Sequence, residues 1–464
     1  MYNISIIKKM EVFMKVKYLL FLFLSLSLIT AQTWQYGPPT TGFRFTRFDG
    51  EYFSKTGRVY FLGGRLSDNS TSGAVWCFIP DSGVYRSMGV TMPIPVSNYN
   101  ICILQDNYSD IDTYGLYIVG GRTAGGPKTA AVQVYYPMSN TVRVIDSDPL
   151  PMRIGGTRIP IPGANVVYNN KMYVFGGFNE SLSPYVSNET WVYDPLAPAG
   201  SRWSRITTAN LSVARTYITT AVVNNKIYAI GGDIFNGTYL YAQKIVEVFD
   251  PENPDLGWQR LADLPDSSGE TRAFGFDSTS PYGFANRIIV AGNGKWPNET
   301  NQCFIYDVIN NTWSTFTYLN QARRNHAGVF IPGTRNTGGI PGIWVFGGRA
   351  VTDTHVLSSV EYYQLAAVGM AERNKKKPGE EIMRITPNIF SHSATISYWV
   401  KEPEEVSIAL YSVDGKLLIP LVNRYHLPGN YQIPLNGKKL TPGIYFIRRI
   451  GEKSNAVQRL TKVN

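Results

Sequence analysis

Histidine and cysteine are scarce in this chain of 464 residues, which holds four His and three Cys. Cys77, Cys102 and Cys303 fall on expected strands and lack the paired spacing of a metal knuckle. They read as small buried apolar side chains, with a Cys77–Cys102 disulfide as the alternative. His326 and His355 are the only histidines before the C-terminal tail, so no metal centre is expected; His326 reads as satisfied at the start of a strand. There is no Gly-rich phosphate loop, no nucleophile elbow and no carboxylate pair of recognised spacing, and no cofactor is expected. Long apolar runs are also few. The one from Tyr18 to Ile29 is short of the roughly twenty residues a membrane span needs. It follows Lys15 and Lys17 and precedes Thr30-Ala31-Gln32, which reads as a signal peptide over residues 1–31, cleaved near Ala31, with Met14 as the effective start. The expected location is therefore outside the cell or on its outer surface, and no transmembrane segment is expected.

A formal charge of +10 invites a nucleic-acid reading. Residues 1–31 carry +3 and residues 370–464 carry +7, which leaves 32–369 neutral. With no basic field on the large central part, a nucleic-acid partner is excluded.

What the chain has is glycine, proline and aromatic side chains: 43 Gly, 28 Pro and 13% aromatics, the composition of many short strands joined by tight turns. A strand ending in a glycine pair recurs as Val59–Gly64, Leu116–Gly121, Met172–Gly177, Ile227–Gly232, Ile288–Asn293 and Ile343–Gly348, with Asn293 in place of the second glycine in the fifth copy. The first glycines stand 57, 56, 55, 61 and 55 residues apart, the period of one supersecondary unit in six copies. After each pair comes an aromatic strand with Phe78, Tyr135, Tyr193, Phe249, Tyr306 or Tyr362. Trp203, Trp258 or Trp313 then follows, with Tyr85 and Val142 in that place in the first two units. Each unit reads as a four-stranded antiparallel sheet. The sixth has no Trp of its own, and Trp34 precedes Gly63 by 29 residues, so the N-terminal strand is expected to complete it.

Four apolar residues, a glycine pair and a spaced Tyr and Trp, in six copies over roughly residues 33–365, resemble the kelch family. That resemblance implies an all-β fold, a six-bladed kelch-type β-propeller over residues 32–366. The physics agrees, because a sheet with two apolar faces needs a neighbour on each.

Residues 367–385 are charged, broken by Pro378-Gly379, and read as a linker. Residues 386–464 read as a small Ig-like β-sandwich. Pro387-Asn388-Ile389-Phe390, Ala394–Tyr398, Val406–Lys416 with Asp414-Gly415, Pro428-Gly429, Leu440–Phe446 and Arg459–Val463 resemble the C-terminal sorting domain of the type IX (Por) secretion system. The resemblance implies secretion machinery as a partner and export to the surface or medium.

Candidate ligand-binding residues are the arginines before the inner strands, Arg47, Arg158, Arg215, Arg272 and Arg324. To these are added Arg65, Arg122, Asp233 and Arg349, each of which follows a glycine pair and opens a connecting loop. In a closed ring the sixth, first and second units are neighbours, so Arg349, Arg65 and Arg122 would share one side of the mouth. Such guanidinium groups suit a carboxylate or sulfate. Glu270 and Asp277 stand near Arg272 in sequence as acid/base candidates. The expected function is binding of a glycan or protein ligand at one mouth, without catalysis. The alternative is a sugar epimerase or mutarotase using Arg and carboxylates there, since the kelch family includes such enzymes.

Overall fold

In each of the six repeat units the second strand is apolar and buried on both faces, as a sheet covered by a neighbour on each side requires. The computed structural model describes residues 32–124, 129–280, 282–333, 341–350, 355–365, 383–412, 417–451 and 455–463. The expected signal peptide and most of the expected linker lie outside these residues. Among the described residues six four-stranded antiparallel sheets follow one another. The first holds Gly50–Phe53, Arg58–Arg65, Thr71–Ile79 and Val84–Thr91. The next four begin with Cys102–Gln105, Ile161–Tyr168, Thr219–Val223 and Arg272–Phe276, and each adds three further strands outward. The sixth is built from Ala327–Ile331, Gly342–Phe346 and Val360–Gln364, and its outer strand is Gln35–Gly37 from the other end of the chain.

The repeated aromatics explain the ring. In four units the second strand carries a tyrosine that packs on the third-strand aromatic of the next sheet. These pairs are Tyr60–Tyr135 at 5.5 Å, Tyr117–Tyr193 at 6.0 Å, Tyr173–Phe249 at 6.2 Å and Tyr228–Tyr306 at 6.3 Å. Ile289 holds the place in the fifth unit, in one cluster with Tyr363, and Trp344 returns from the sixth sheet to Phe78 of the first at 5.7 Å. The apolar core is accordingly divided into interfaces between neighbouring sheets.

The later Trp or Tyr packs on the aromatic of its own unit: Tyr85 on Phe78, Trp203 on Tyr193, Trp258 on Phe249, Trp313 on Tyr306 and Trp34 on Tyr363, which holds the place expected of Tyr362 because it pairs with Ile343 as Phe78 pairs with Val59. Its polar atom then donates to the preceding unit. Trp203 Nε1 reaches Asp148 O at 2.9 Å, Trp313 Nε1 reaches Ala262 O at 3.0 Å, and Trp34 Nε1 reaches Thr317 O at 2.8 Å. Trp258 donates to Thr190 Oγ1 and Tyr85 to Pro38 O. Val142 has no polar atom to offer, so the second unit lacks this tie. The glycine pairs allow close approach to the next unit: Gly231 has φ 58°, and a Cβ there would lie 2.1 Å from Ser268 O.

The tail forms two sheets, Met383–Thr386, Ser393–Val400 and Gly429–Asn436 in one, and Ile389–Phe390, Asn455–Lys462, Gly443–Gly451, Glu404–Ser412 and Leu417–His426 in the other. They share one apolar core, with Ile396, Val406, Ile408 and Ile447 fully buried. Cys77, Cys102 and Cys303 are buried and free, so Cys77 and Cys102 do not pair.

Trp34 carries both a ring contact and a bond that closes the sixth sheet. Trp34→Ala is expected to cost about 3–5 kcal/mol in urea unfolding. Trp34→Phe, which keeps the ring contact, is expected to cost only about 1 kcal/mol. Equal losses for the two would show that ring closure does not depend on this packing.

Candidate functional site

Each inner strand is entered by the same backbone device. In five units the residue two positions after a fixed carbonyl takes a positive φ: Arg47 (56°), Asn98 (63°), Tyr217 (52°), Glu270 (52°) and Asn325 (54°). The residue before it bridges to the one after the glycine pair, as Thr46–Arg65, Ser97–Arg122, Thr216–Asp233, Gly269–Gly294 and Arg324–Arg349. The positive-φ residues then bond one another around the axis. Asn98 N donates to Arg47 O at 2.6 Å, Arg47 N to Asn325 O at 2.8 Å, Asn325 N to Glu270 O at 2.8 Å and Glu270 N to Tyr217 O at 3.2 Å. In the third unit Ile161 pairs with Phe178, so Pro162 takes the equivalent place. Proline has no N–H to donate and cannot adopt a positive φ, so this backbone belt is broken at that unit.

Above the belt lies a pocket of about 300 Å³, lined on one side by Arg47, Arg65 and Arg122 and on the other by Phe178, Phe235 and Trp296, with Tyr217 and Glu180 also lining it. The aromatic wall is continuous: Phe178 meets Phe235 at 5.3 Å and Tyr217 at 6.0 Å, and Tyr185 meets Phe235 at 5.0 Å. Phe235 and Trp296 stand on or beside hairpins that rise from the fourth and fifth sheets, Asp233–Phe235 with Leu240–Ala242 and Asn293–Lys295 with Asn298–Thr300.

The guanidinium groups of the mouth differ in how they are engaged. Arg122 makes a forked pair with Glu180 at 2.8 and 3.3 Å. Glu270 receives Arg47 at 3.2 Å and also Arg324. Burial pushes the Glu270 carboxyl upward, but Arg324 and Arg47 outweigh it and hold it below the usual range. Arg349 Nη2 donates to Asn69 Oδ1 at 3.2 Å. Among the described residues the Arg65 side chain meets no carboxylate and no hydrogen-bond acceptor, and its Nε is buried. Burial, then Arg47, Arg122 and Arg349, pull Arg65 down to about 10.

Asp233 is fully buried with neither carboxylate oxygen hydrogen-bonded; burial and then the Glu270 charge raise its pKa well above the usual range. It fits because Gly269 has no side chain: a Cβ there would come within 2.4 Å of Asp233 Oδ2. Glu270 and Asp233 are thus two neighbouring carboxyls whose pKa values are pushed in opposite directions.

The structure disperses the other expected site residues. Arg215 is fully buried, bonded to Glu247 at 2.5 Å and to Gly231 O at 2.8 Å, and so does not reach the mouth. Arg323 repeats this arrangement with Glu361 at 2.8 Å and Gly347 O at 2.7 Å. Arg324 is therefore one position past the repeat arginine, in the place of Thr216. Arg272 lies below the belt, where Nε bonds Asp49 at 3.0 Å and Nη2 bonds Phe48 O at 2.8 Å. It reaches the first sheet by passing over Gly328, where a Cβ would lie 2.6 Å from Arg272 Cβ. Arg158 is exposed on a small hairpin of the third unit. Asp277 follows the far end of the strand that Glu270 precedes, and it accepts from Asn224 N at 2.6 Å. His326 is buried and held neutral by burial and by Arg323 and Arg272. Among the described residues no group of three or more His, Cys, Asp or Glu gathers around a metal position.

Sequence reasoning missed the aromatic wall, Tyr217, and a second polar group below the belt. There Glu51 sits in the channel near Asp49, and burial, then the Asp49 charge, raise its carboxyl to about 8. Alternation on the first strand was the signal, since Asp49 and Glu51 are two residues apart and share a face.

The fold is a β-propeller with a polar axis and a charged mouth. Residues 114–337 match the KLHDC2/KLHL20/DRC7 Kelch-repeats domain. The chain is 26% identical to alpha-scruin of Limulus polyphemus over 199 residues, 42% of this chain and 20% of that protein. It is 37% identical to spermatocyte protein spe-26 of Caenorhabditis elegans over 110 residues, 23% and 17% of the two. It is 24% identical to Kelch-like protein 25 of Xenopus tropicalis over 271 residues, 56% and 39%. The matches thus span well under half of each of these relatives. Among solved structures, that titled "Structure of YjhT" superposes with a TM-score of 0.49 at 18% identity, covering 70% of this chain and 96% of that one.

Two measurements test this geometry. Because the folded pKa of Glu51 is raised above its unfolded value, its contribution to stability is fully present below about pH 4.5 and is lost as pH rises toward 8. Urea midpoints should fall across that window, and Glu51→Gln should flatten the slope; an unchanged slope would remove Glu51 as its source. Gly328→Val should displace Arg272 and cost about 1–3 kcal/mol by overpacking. A neutral result would mean that Arg272 does not depend on that gap.

Proposed function

We propose that this chain is an exported binding module, a kelch propeller that captures an anionic glycan or protein ligand at its arginine mouth. The carrying observation is Arg65, an unpaired guanidinium among three others and facing an aromatic wall. A half-buried cation without a counter-ion is unfavourable, and a carboxylate or sulfate would relieve it through charge-assisted bonds. The flat rings opposite suit a ligand whose anionic group is attached to a ring or an apolar body. Kelch domains generally bind protein partners, which agrees with a binding role. We read the six sheets as six blades, and the tail's two sheets as an Ig-like sandwich that sorts the chain to the outer surface through the type IX machinery. The motifs named in the tail and the signal-like N-terminus support that reading.

A second reading, a sugar epimerase or mutarotase, is favoured by Asp233 and Glu270, two carboxyls beside arginines with pKa values pushed in opposite directions.

The test is a screen of the purified full chain against acidic and neutral glycans and acidic peptides. Micromolar binding to acidic ligands alone is expected, weakened at least tenfold by Arg65→Ala and less by Arg349→Ala. Binding to neutral ligands, or binding indifferent to Arg65→Ala, would overturn the mouth assignment. Turnover of a bound sugar that Asp233→Asn abolishes would establish the second reading.

A further inference from the structure

Below the belt the channel holds a separate cavity of about 260 Å³, lined by all six sheets. Its two charged partners satisfy each other. Asp49 Oδ1 accepts from Arg272 Nε at 3.0 Å, and Oδ2 accepts from Asn100 Nδ2 and Ile101 N, both at 3.2 Å. Two further Arg272 N–H groups go to Thr271 O at 3.0 Å and Phe48 O at 2.8 Å.

Two other groups are left over. Glu51 lines the cavity and forms no ion pair among the described residues. Asn165, on the third sheet, is only 4% exposed and lines the same cavity, and neither its Oδ1 nor its Nδ2 has a hydrogen-bond partner. A buried amide with both ends unsatisfied is costly and calls for an occupant. The apolar part of the lining, including Ile101, Ile103, Val166 and Ile218, is aliphatic and offers no ring face to a sugar. The open polar atoms are the Glu51 carboxyl, both ends of the Asn165 amide and the hydroxyl of Thr220, so oxygens predominate and the Asn165 Nδ2 is left to donate to water.

We propose that the propeller channel binds a hydrated hard metal cation of the calcium class, held by Glu51 and by the Asn165 carbonyl oxygen, with water completing its shell. Hard cations take carboxylate, amide and water oxygens in flexible geometry. Burial and the Asp49 charge hold a proton on Glu51 up to about pH 8, so the cation must displace it; this places the site at the weak end, with a dissociation constant of about 10⁻⁴–10⁻³ M that tightens as pH rises toward 8. This site is independent of the mouth and of the ligand proposed there.

The experiment is calorimetric titration of chelator-treated full chain with calcium chloride, with sodium chloride at equal ionic strength as the control, alongside thermal melts. One site is expected, together with a melting temperature that rises with calcium. Glu51→Gln should weaken binding at least tenfold, and Asn165→Asp, which adds a carboxylate, should tighten it about tenfold. Should Glu51→Gln fail to fold by circular dichroism, Asn165→Asp decides alone. Absence of a calcium-specific heat and melting shift, or binding that the folded variants leave unaltered, overturns the proposal.

Discussion

The aromatic contact shared between adjacent sheets is the interaction on which the rest of this molecule depends. Each sheet is apolar on both faces and has no stable existence alone, so its second-strand tyrosine and third-strand aromatic are halves of pairs completed by different neighbours. A linear array would leave one half-pair unfilled at each end. Trp344 meeting Phe78, and Trp34 meeting Tyr363 from the opposite end of the chain, remove both ends at once. Stability is therefore spread over equivalent interfaces, and the outer Trp and Tyr donors add a polar tie that fixes which neighbour is met.

Closing the ring crowds six chain entries around one axis, and the positive-φ residues are the solution to that crowding. Turning the backbone at Arg47, Asn98, Tyr217, Glu270 and Asn325 lets each N–H or C=O meet the neighbouring unit instead of facing inward unsatisfied. The cost of a left-handed backbone at non-glycine residues is borne in this belt, and two of its side chains, Arg47 and Tyr217, line the mouth. The belt also separates two environments, cationic and aromatic above, acidic and amide-lined below.

The period and the sheet content were legible in the sequence because they rest on side-chain types that packing demands: a glycine pair where units approach, and aromatics where a wedge must be filled. The mouth was less legible because its common feature is a backbone angle. Arg, Asn, Tyr, Glu and Asn share no chemistry, and only superposed units reveal them as one position. The arginines show the same limit. Adjacent Arg323 and Arg324 cannot be told apart by spacing, yet one is locked inside a sheet interface with Glu361 and the other faces the axis with Glu270. Asp49 and Glu51 were passed over because acidic residues on a strand ordinarily mark a solvated face, whereas the innermost strand of a ring has its solvent face in a channel.

Charge at the mouth follows from how few acceptors the ring supplies there. Glu270 neutralises one of the two guanidinium groups it contacts, Arg47 and Arg324, and Glu180 serves Arg122. Asp233 is instead enclosed over Gly269 beside Glu270, where burial and that neighbouring charge raise its pKa well above the usual range and weaken it as a counter-ion. The excess positive charge is then concentrated on the side of the mouth shared by the sixth, first and second units, with Arg65 in the middle of it. The opposite side is apolar because its loops fold back as hairpins that place rings, not charges, over the opening. That asymmetry gives an approaching anion one orientation: charged group toward Arg65, body against Phe178 and Phe235.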